Sequence, residues 1–220
     1  MLRLQNSLND STNGKGWERG WTESGKKIDW YRCIYMEVSE LIDGYSWKHW
    51  KGSGKEVDVD RENIKIECVD IWHFVMSEVI KDARLGGVEI KDLAEEIFHK
   101  EYFQDYLNEH RCRGHFENFY DELVIVEKLL KVIFCREGKD ALLKNFLKIA
   151  EVADLDFNEL YTLYVGKNVL NRFRQDNGYK NGTYRKIWNG KEDNEIMQEI
   201  LQNSPKISPE NLYSELKKIY

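Results

Sequence analysis

Residues 64–80 read IKIECVDIWHFVMSEVI, and this stretch decides the fold. Ile64, Ile66, Val69, Ile71, Trp72, Val75, Met76, Val79 and Ile80 cover most of a helix circumference. A helix apolar on nearly every side has to be surrounded by other helices. Asp60 precedes it as an N-cap, and Gly86-Gly87 breaks it beyond about Lys81. Lys65, Glu67, Asp70, His73 and Glu78 exclude a membrane span, because hydrocarbon tolerates such groups poorly.

The flanking sequence is also helical in pattern. Lys26–Tyr45 predicts a helix that buries Ile28, Ile34, Val38, Leu41 and Ile42. Further helices are expected at Ile90–Tyr106, Phe116–Phe134 and Asp140–Ala153. Asp156-x-x-Glu159 resembles a capping box opening a helix to about Arg174. Gln175–Lys191 fits no regular element, and Glu192–Leu201 and Ser208–Tyr220 return to helix, with Ser208-Pro209 as cap and first helical residue. Asp10–Gly25 and Lys51–Val59 read as loops. No window sustains period-two alternation. The expected fold is an all-α multi-helix bundle in one domain over residues 1–220, with 81–150 as its least defined helical part.

Composition narrows the function. The chain has 220 residues, 41% of them hydrophobic, which is too apolar for a disordered chain. Its 33 Lys and Arg against 39 Asp and Glu leave a net charge of −6, which argues against a nucleic-acid binder. The first ten residues lack the basic start and apolar centre of a signal peptide. Cys33, Cys68, Cys112 and Cys135 form no CxxC pair, so reduced thiols in a cytoplasmic protein with no membrane partner are expected.

Glu37 and Glu40 are three residues apart, as are Glu67 and Asp70, so each pair shares a helix face. Chance alone supplies about seven acid-x-x-acid pairs in this composition, mostly on solvated faces. These two differ because apolar residues flank them: Met36 and Val38, Leu41 and Ile42, Ile66, Val69 and Ile71. Such acids should face an interior or a cleft, where an unpaired carboxylate is costly. Lys or Arg partners are one solution. A divalent metal is the other, and an all-oxygen set suits Mg²⁺ or Mn²⁺ better than zinc. Asp70-x-x-His73 superficially resembles half of a di-iron motif, but the other acidic helix has no matching histidine. His73 alone reads as a hydrogen-bonded core residue or as a pocket wall.

Residues 167–191 hold seven bases (Lys167, Arg172, Arg174, Lys180, Arg185, Lys186, Lys191) and one acid, Asp176. This segment is either a solvated basic loop or a polyphosphate clamp, in which Arg forks and Lys point charges meet phosphate oxygens. Trp47 and Trp50 are core anchors or a stacking platform for a base. Gln5, Asn9, Asn13, Asn168, Asn171 and Asn177 either cap turns or read a base edge. His110-x-Cys112-x-x-His115 could be mistaken for a zinc site.

Three features together resemble the all-α, dimeric dUTPases of the helical NTP pyrophosphohydrolase superfamily. They are Glu37-x-x-Glu40 followed by Glu67-x-x-Asp70, the Trp47-Lys48-His49-Trp50 run, and GKNVLNRFRQDNGYKNGTYRKIWNGKEDNE from Gly166 to Glu195. The likeness covers roughly residues 1–75 and 160–195. It implies Mg²⁺-dependent hydrolysis of dUTP to dUMP and pyrophosphate, and of dUDP to dUMP and phosphate, which limits uracil in DNA and supplies dUMP for thymidylate synthesis. It implies that Glu37, Glu40, Glu67 and Asp70 hold two or more Mg²⁺, with Mn²⁺ as a substitute, and that Glu37 deprotonates the attacking water. Lys167, Arg174, Tyr179, Lys180 and Lys186 would contact phosphates. Gln5, Asn9, Asn13, Asn171 and Trp47 or Trp50 would hold the nucleoside, with His73 and Asn194 nearby, in a homodimer. Two other readings stay open: a pyrophosphatase for another deoxynucleotide such as dCTP, and a non-enzymatic helical binding module.

Overall fold

The computed structural model describes residues 1–50, 59–108 and 118–220. Ten α-helices are present among them: α1 (Leu2–Asn13), α2 (Trp30–Asp43), α3 (Arg61–Leu85), α4 (Ile90–Phe98), α5 (Glu101–Asn108), α6 (Phe119–Cys135), α7 (Lys139–Val152), α8 (Phe157–Asp176), α9 (Asp193–Asn203) and α10 (Pro209–Ile219). Two short 3₁₀ turns lie at Trp17–Arg19 and Tyr179–Asn181. The strands β1 (Ile187–Trp188) and β2 (Lys191–Glu192) form a minimal antiparallel hairpin, with Trp188 opposite Lys191. The fold is all-α, as expected, and no described helix is long and apolar enough to cross a membrane.

Helix α3 is the hub. It packs on α1, α2, α4, α7 and α8, and Val69, Ile71, Val75, Met76 and Ile80 are fully buried. The Asp60 carboxylate accepts from the Asn63 N–H at 3.0 Å, as the cap reading required. Trp72 stacks on Phe146 of α7 with centroids 4.5 Å apart. A second core gathers Val169, Leu170 and Phe173 of α8 with Trp188, Met197, Leu201, Leu212 and Leu216, and Ile66 reaches it from α3. Helix α8 serves both cores, because Leu160 and Tyr164 lie in the first.

Several expectations need correction. Residues 10–13 belong to α1, not to a loop. The buried face of α1 is Gln5 and Asn9, so hydrophobic periodicity gives no signal there. The helix expected over 90–106 is two helices, and the break at His99 and Lys100 accompanies an ion pair from Lys100 to Asp140 of α7 at 2.9 Å. Asp156 caps α8 by accepting from the Glu159 N–H at 2.8 Å. The Glu159 carboxylate meets Lys65 at 2.7 Å, so only half of the expected capping box is present. The true box is Glu192 with Glu195, at the start of α9. Ile28 and Ile42 are only partly buried. Cys33, Cys68 and Cys135 are free thiols. The loop expected at 51–58 and the residues His110, Cys112 and His115 lie outside the described residues.

Helices α8 and α9 meet at Gly166. A Cβ there would lie 2.7 Å from Leu201 Cδ1 and 3.3 Å from Met197 Sδ. Gly166→Val should therefore lower unfolding stability by about 1–3 kcal/mol through overpacking, measured as a shift in the denaturant midpoint.

Candidate active site

Four helices contribute one face each to a cleft of about 340 Å³. From α1 come Gln5, Asn9 and Asn13, spaced four residues apart. From α2 come Trp30 and Glu37, seven apart. From α3 come Asp70, His73 and Phe74. From α8 come Lys167, Asn171, Arg174 and Gln175, followed by Tyr179 in the next turn. Helical spacing aligns each set without further help.

Glu37, Glu67 and Asp70 each present a carboxylate oxygen within 4.8 Å of the others. Lys167, itself buried, meets Asp70 at 2.8 Å. One lysine against three acids leaves excess negative charge. Burial, then the neighbouring Asp70, Glu40 and Glu67, push Glu37 up to about 8, with Lys167 opposing. Burial and Asp70 push Glu67 up to about 7. Three converging oxygen donors with no nitrogen or sulfur suit a hard divalent cation.

The nucleoside-side residues form one polar network. Gln5 Nε2 donates to Asn9 Oδ1 at 3.2 Å and to Ser77 Oγ at 3.0 Å. Asn9 Nδ2 also donates to Ser77 Oγ at 3.0 Å. Gln5 Oε1 faces His73 Nδ1 at 2.7 Å. A carbonyl oxygen only accepts, so this network assigns the ring proton to Nδ1. Burial drops His73 to about 4, so the ring is neutral. Its Nε2, Trp30 Nε1 and Gln175 Oε1 are buried and unpartnered.

The cations are wired differently. Lys167 Nζ also donates to Asn194 Oδ1 at 2.8 Å. Arg174 makes a bidentate pair with the fully buried Asp193, both bonds at 2.8 Å. It also donates to Asn171 Oδ1 at 3.2 Å.

Not every sequence-predicted residue converges. Glu40 is exposed and outside the carboxylate group, correcting the expectation that all four acids turn inward. Position 40 shares the solvent side of α2 with the exposed Met36 and Ser39. Trp47 donates to Asp43 at 3.3 Å, Trp50 is 61% exposed, and neither lines the cleft. Lys180 and Lys186 are exposed, and Lys186 pairs with Glu192 at 3.2 Å. Asn194 stands behind the cations and is not on the cleft wall. The sequence reading missed Trp30, Phe74, Ser77, Gln175 and Asp193. Helical spacing from Glu37 and Asp70 would have found Trp30 and Phe74.

A family model described as dUTPase matches residues 1–179. The chain belongs to the all-α dUTPase family. Its activity is therefore that of a dUTP diphosphatase, its substrate is dUTP, and the family generally uses a divalent metal. A comparison with curated proteins finds no match. The matched span contains the whole cleft and ends at Tyr179, ahead of Lys180, Lys186, Asp193 and Asn194.

The raised carboxylates set a pH dependence. Between the ordinary carboxylate range and about pH 8, the folded protein binds more protons than the unfolded chain. Stability without metal should then fall as pH rises from about 5 to 8. Melting temperatures in EDTA should decline across that window, and added Mg²⁺ should reverse the decline.

Proposed function

We propose that this dUTPase hydrolyses dUTP to dUMP and pyrophosphate, and dUDP to dUMP and phosphate, in the cleft between α1, α2, α3 and α8. The observation that carries this is the meeting of three carboxylates, the buried Lys167, the largely covered Arg174 and an amide–histidine network at one cleft. Glu37, Glu67 and Asp70 would hold Mg²⁺, or Mn²⁺ in its place, with the exposed Glu40 joining for a second ion. A divalent cation there would lower the pKa of water and offset charge on phosphoryl oxygens.

Glu37 takes the proton of the attacking water. Its carboxyl lies on the cleft wall beside the Glu67 and Asp70 carboxylates, within reach of a water held there. Lys167 and Arg174 neutralise the phosphates from fixed positions, with Tyr179, Lys180 and Lys186 adding contacts at the mouth. The free thiols and the charge of −6 support a cytoplasmic enzyme acting on free nucleotides. We place it as a homodimer. Support comes from the α2–α6 flank, where Met36 is 49% and Phe134 68% exposed.

Product analysis of Glu37→Gln tests the base. Turnover of both dUTP and dUDP should fall about 10²–10⁴-fold, with dUTP binding retained. Wild-type rates would remove Glu37 from the chemistry.

Uracil selection follows from the His73 tautomer. A bare Nε2 accepts the N3–H of uracil, whereas cytosine presents an N3 acceptor to it. A mispaired buried acceptor rejects its ligand strongly. Wild-type enzyme should favour dUTP over dCTP by about 10⁴ in kcat/KM, and His73→Phe should bring that ratio toward about 10². An unchanged ratio would assign selection elsewhere, and a preference for dCTP would favour the alternative substrate.

A further inference from the structure

Arg174 reaches the cleft from the last turn of α8, yet three of its four side-chain bonds go to the start of α9, off the cleft wall. Nε donates to Asp193 Oδ2 and Nη2 to Asp193 Oδ1, both at 2.8 Å. Nη2 also reaches Asn194 Oδ1 at 3.3 Å, and Nη1 reaches Asn171 Oδ1 at 3.2 Å. An arginine carries five N–H groups, so these four bonds leave one for a ligand. The guanidinium is held along its Nε–Nη2 edge, which fixes its plane.

The Asp193 side chain is 0% exposed and that of Arg174 is 12% exposed. Asp193 Oδ2 receives a third bond from the Tyr184 hydroxyl at 2.7 Å. The carboxylate sits at the first position of α9, behind the Glu192–Glu195 capping box, where a helix start favours negative charge. The next residue, Asn194, holds Lys167 Nζ. The first turn of α9 therefore grips both Lys167 and Arg174 from behind.

We infer that Asp193, braced by Tyr184, is the positioning residue for the phosphate-binding face, holding Arg174 in the orientation that meets the phosphate chain. It touches no substrate itself. Both residues lie beyond the family-matched span of 1–179. The inference rests on the proposal above that Arg174 and Lys167 bind phosphates. A carboxylate is needed for two reasons. Only acceptor oxygens suit three donors, and an unpaired guanidinium this deeply placed would turn toward water. An asparagine keeps the volume but offers an NH₂ where Arg174 or Tyr184 donates.

The test compares full-length Asp193→Asn, Tyr184→Phe and Arg174→Ala with wild type. Steady-state kinetics with dUTP, inhibition by deoxyuridine, which has no phosphate, and thermal melting are measured for each. Asp193→Asn should raise KM for dUTP about tenfold or more and lower kcat, while deoxyuridine inhibition stays within about twofold. Tyr184→Phe should show the same split at about threefold, and it carries the test if Asp193→Asn fails to fold. A purely structural role predicts equal losses for dUTP and deoxyuridine, and that result would overturn the inference. Impaired Arg174→Ala alongside wild-type KM in Tyr184→Phe, and in Asp193→Asn where it folds, would overturn the positioning role alone. Arg174→Ala with wild-type dUTP kinetics would overturn the phosphate role of Arg174, and the inference with it.

Discussion

Three carboxylates meet beside a half-buried cleft and only one of them is paired, by Lys167, and that imbalance governs the molecule. Two like charges within 4.8 Å repel by about 3–4 kcal/mol at an effective dielectric of ~20. Such a cluster could consume much of the ~5–15 kcal/mol that keeps a domain folded. The protein has three ways to relieve it: hold protons, use Lys167, or take a cation. The structure shows the second in the Lys167–Asp70 pair, and burial with like-charged neighbours favours the first at Glu37 and Glu67. The third relieves the repulsion most, because a divalent ion adds two positive charges between the oxygens. The repulsion also needs a rigid frame, since loosely held acids would swing apart into water. Helix α3, buried on nearly all sides, is that frame, and it carries two of the three acids.

The basic stretch of the chain divides into two physical classes. Lys167 is buried, Arg174 is largely covered, and both are fixed by side-chain bonds. Lys180 and Lys186 are exposed and off the cleft wall, where water screens them. Fixed cations discriminate geometry, and mobile ones add attraction at modest entropic cost.

Much of this was legible because it follows from apolar periodicity and capping. The Asp60 cap, the glycine break after α3, and the pairing of Glu67 with Asp70 are all short-range consequences of side-chain type. Helix α1 was not legible, because its buried face is made of amides satisfied by His73 and Ser77, more than sixty residues away. Glu40 shows the limit of spacing. Three residues apart places two Cβ atoms together, but rotation of α2 decides which one faces inward, and α3 and α6 set that rotation. The tryptophans show the same limit. Trp47 and Trp50 lie after α2 and off the cleft, while Trp30 at its start lies on the Glu37 face.

The second core has its own reason to exist. An arginine 12% exposed in side chain, beside an aspartate at 0%, has to be surrounded by structure that keeps water out. Phe173, Trp188, Tyr213 and Tyr220 provide it, with ring centroids 5.1–5.5 Å apart. This aromatic group fixes the hairpin and the start of α9, and these in turn fix Asp193. The ion pair alone is a poor source of stability, since desolvation offsets most of its Coulomb gain. Its value lies in orientation, because a buried carboxylate accepting three bonds permits one guanidinium plane. Residues at the far end of the chain thus act on the cleft without entering it, through the geometry of the cation they hold.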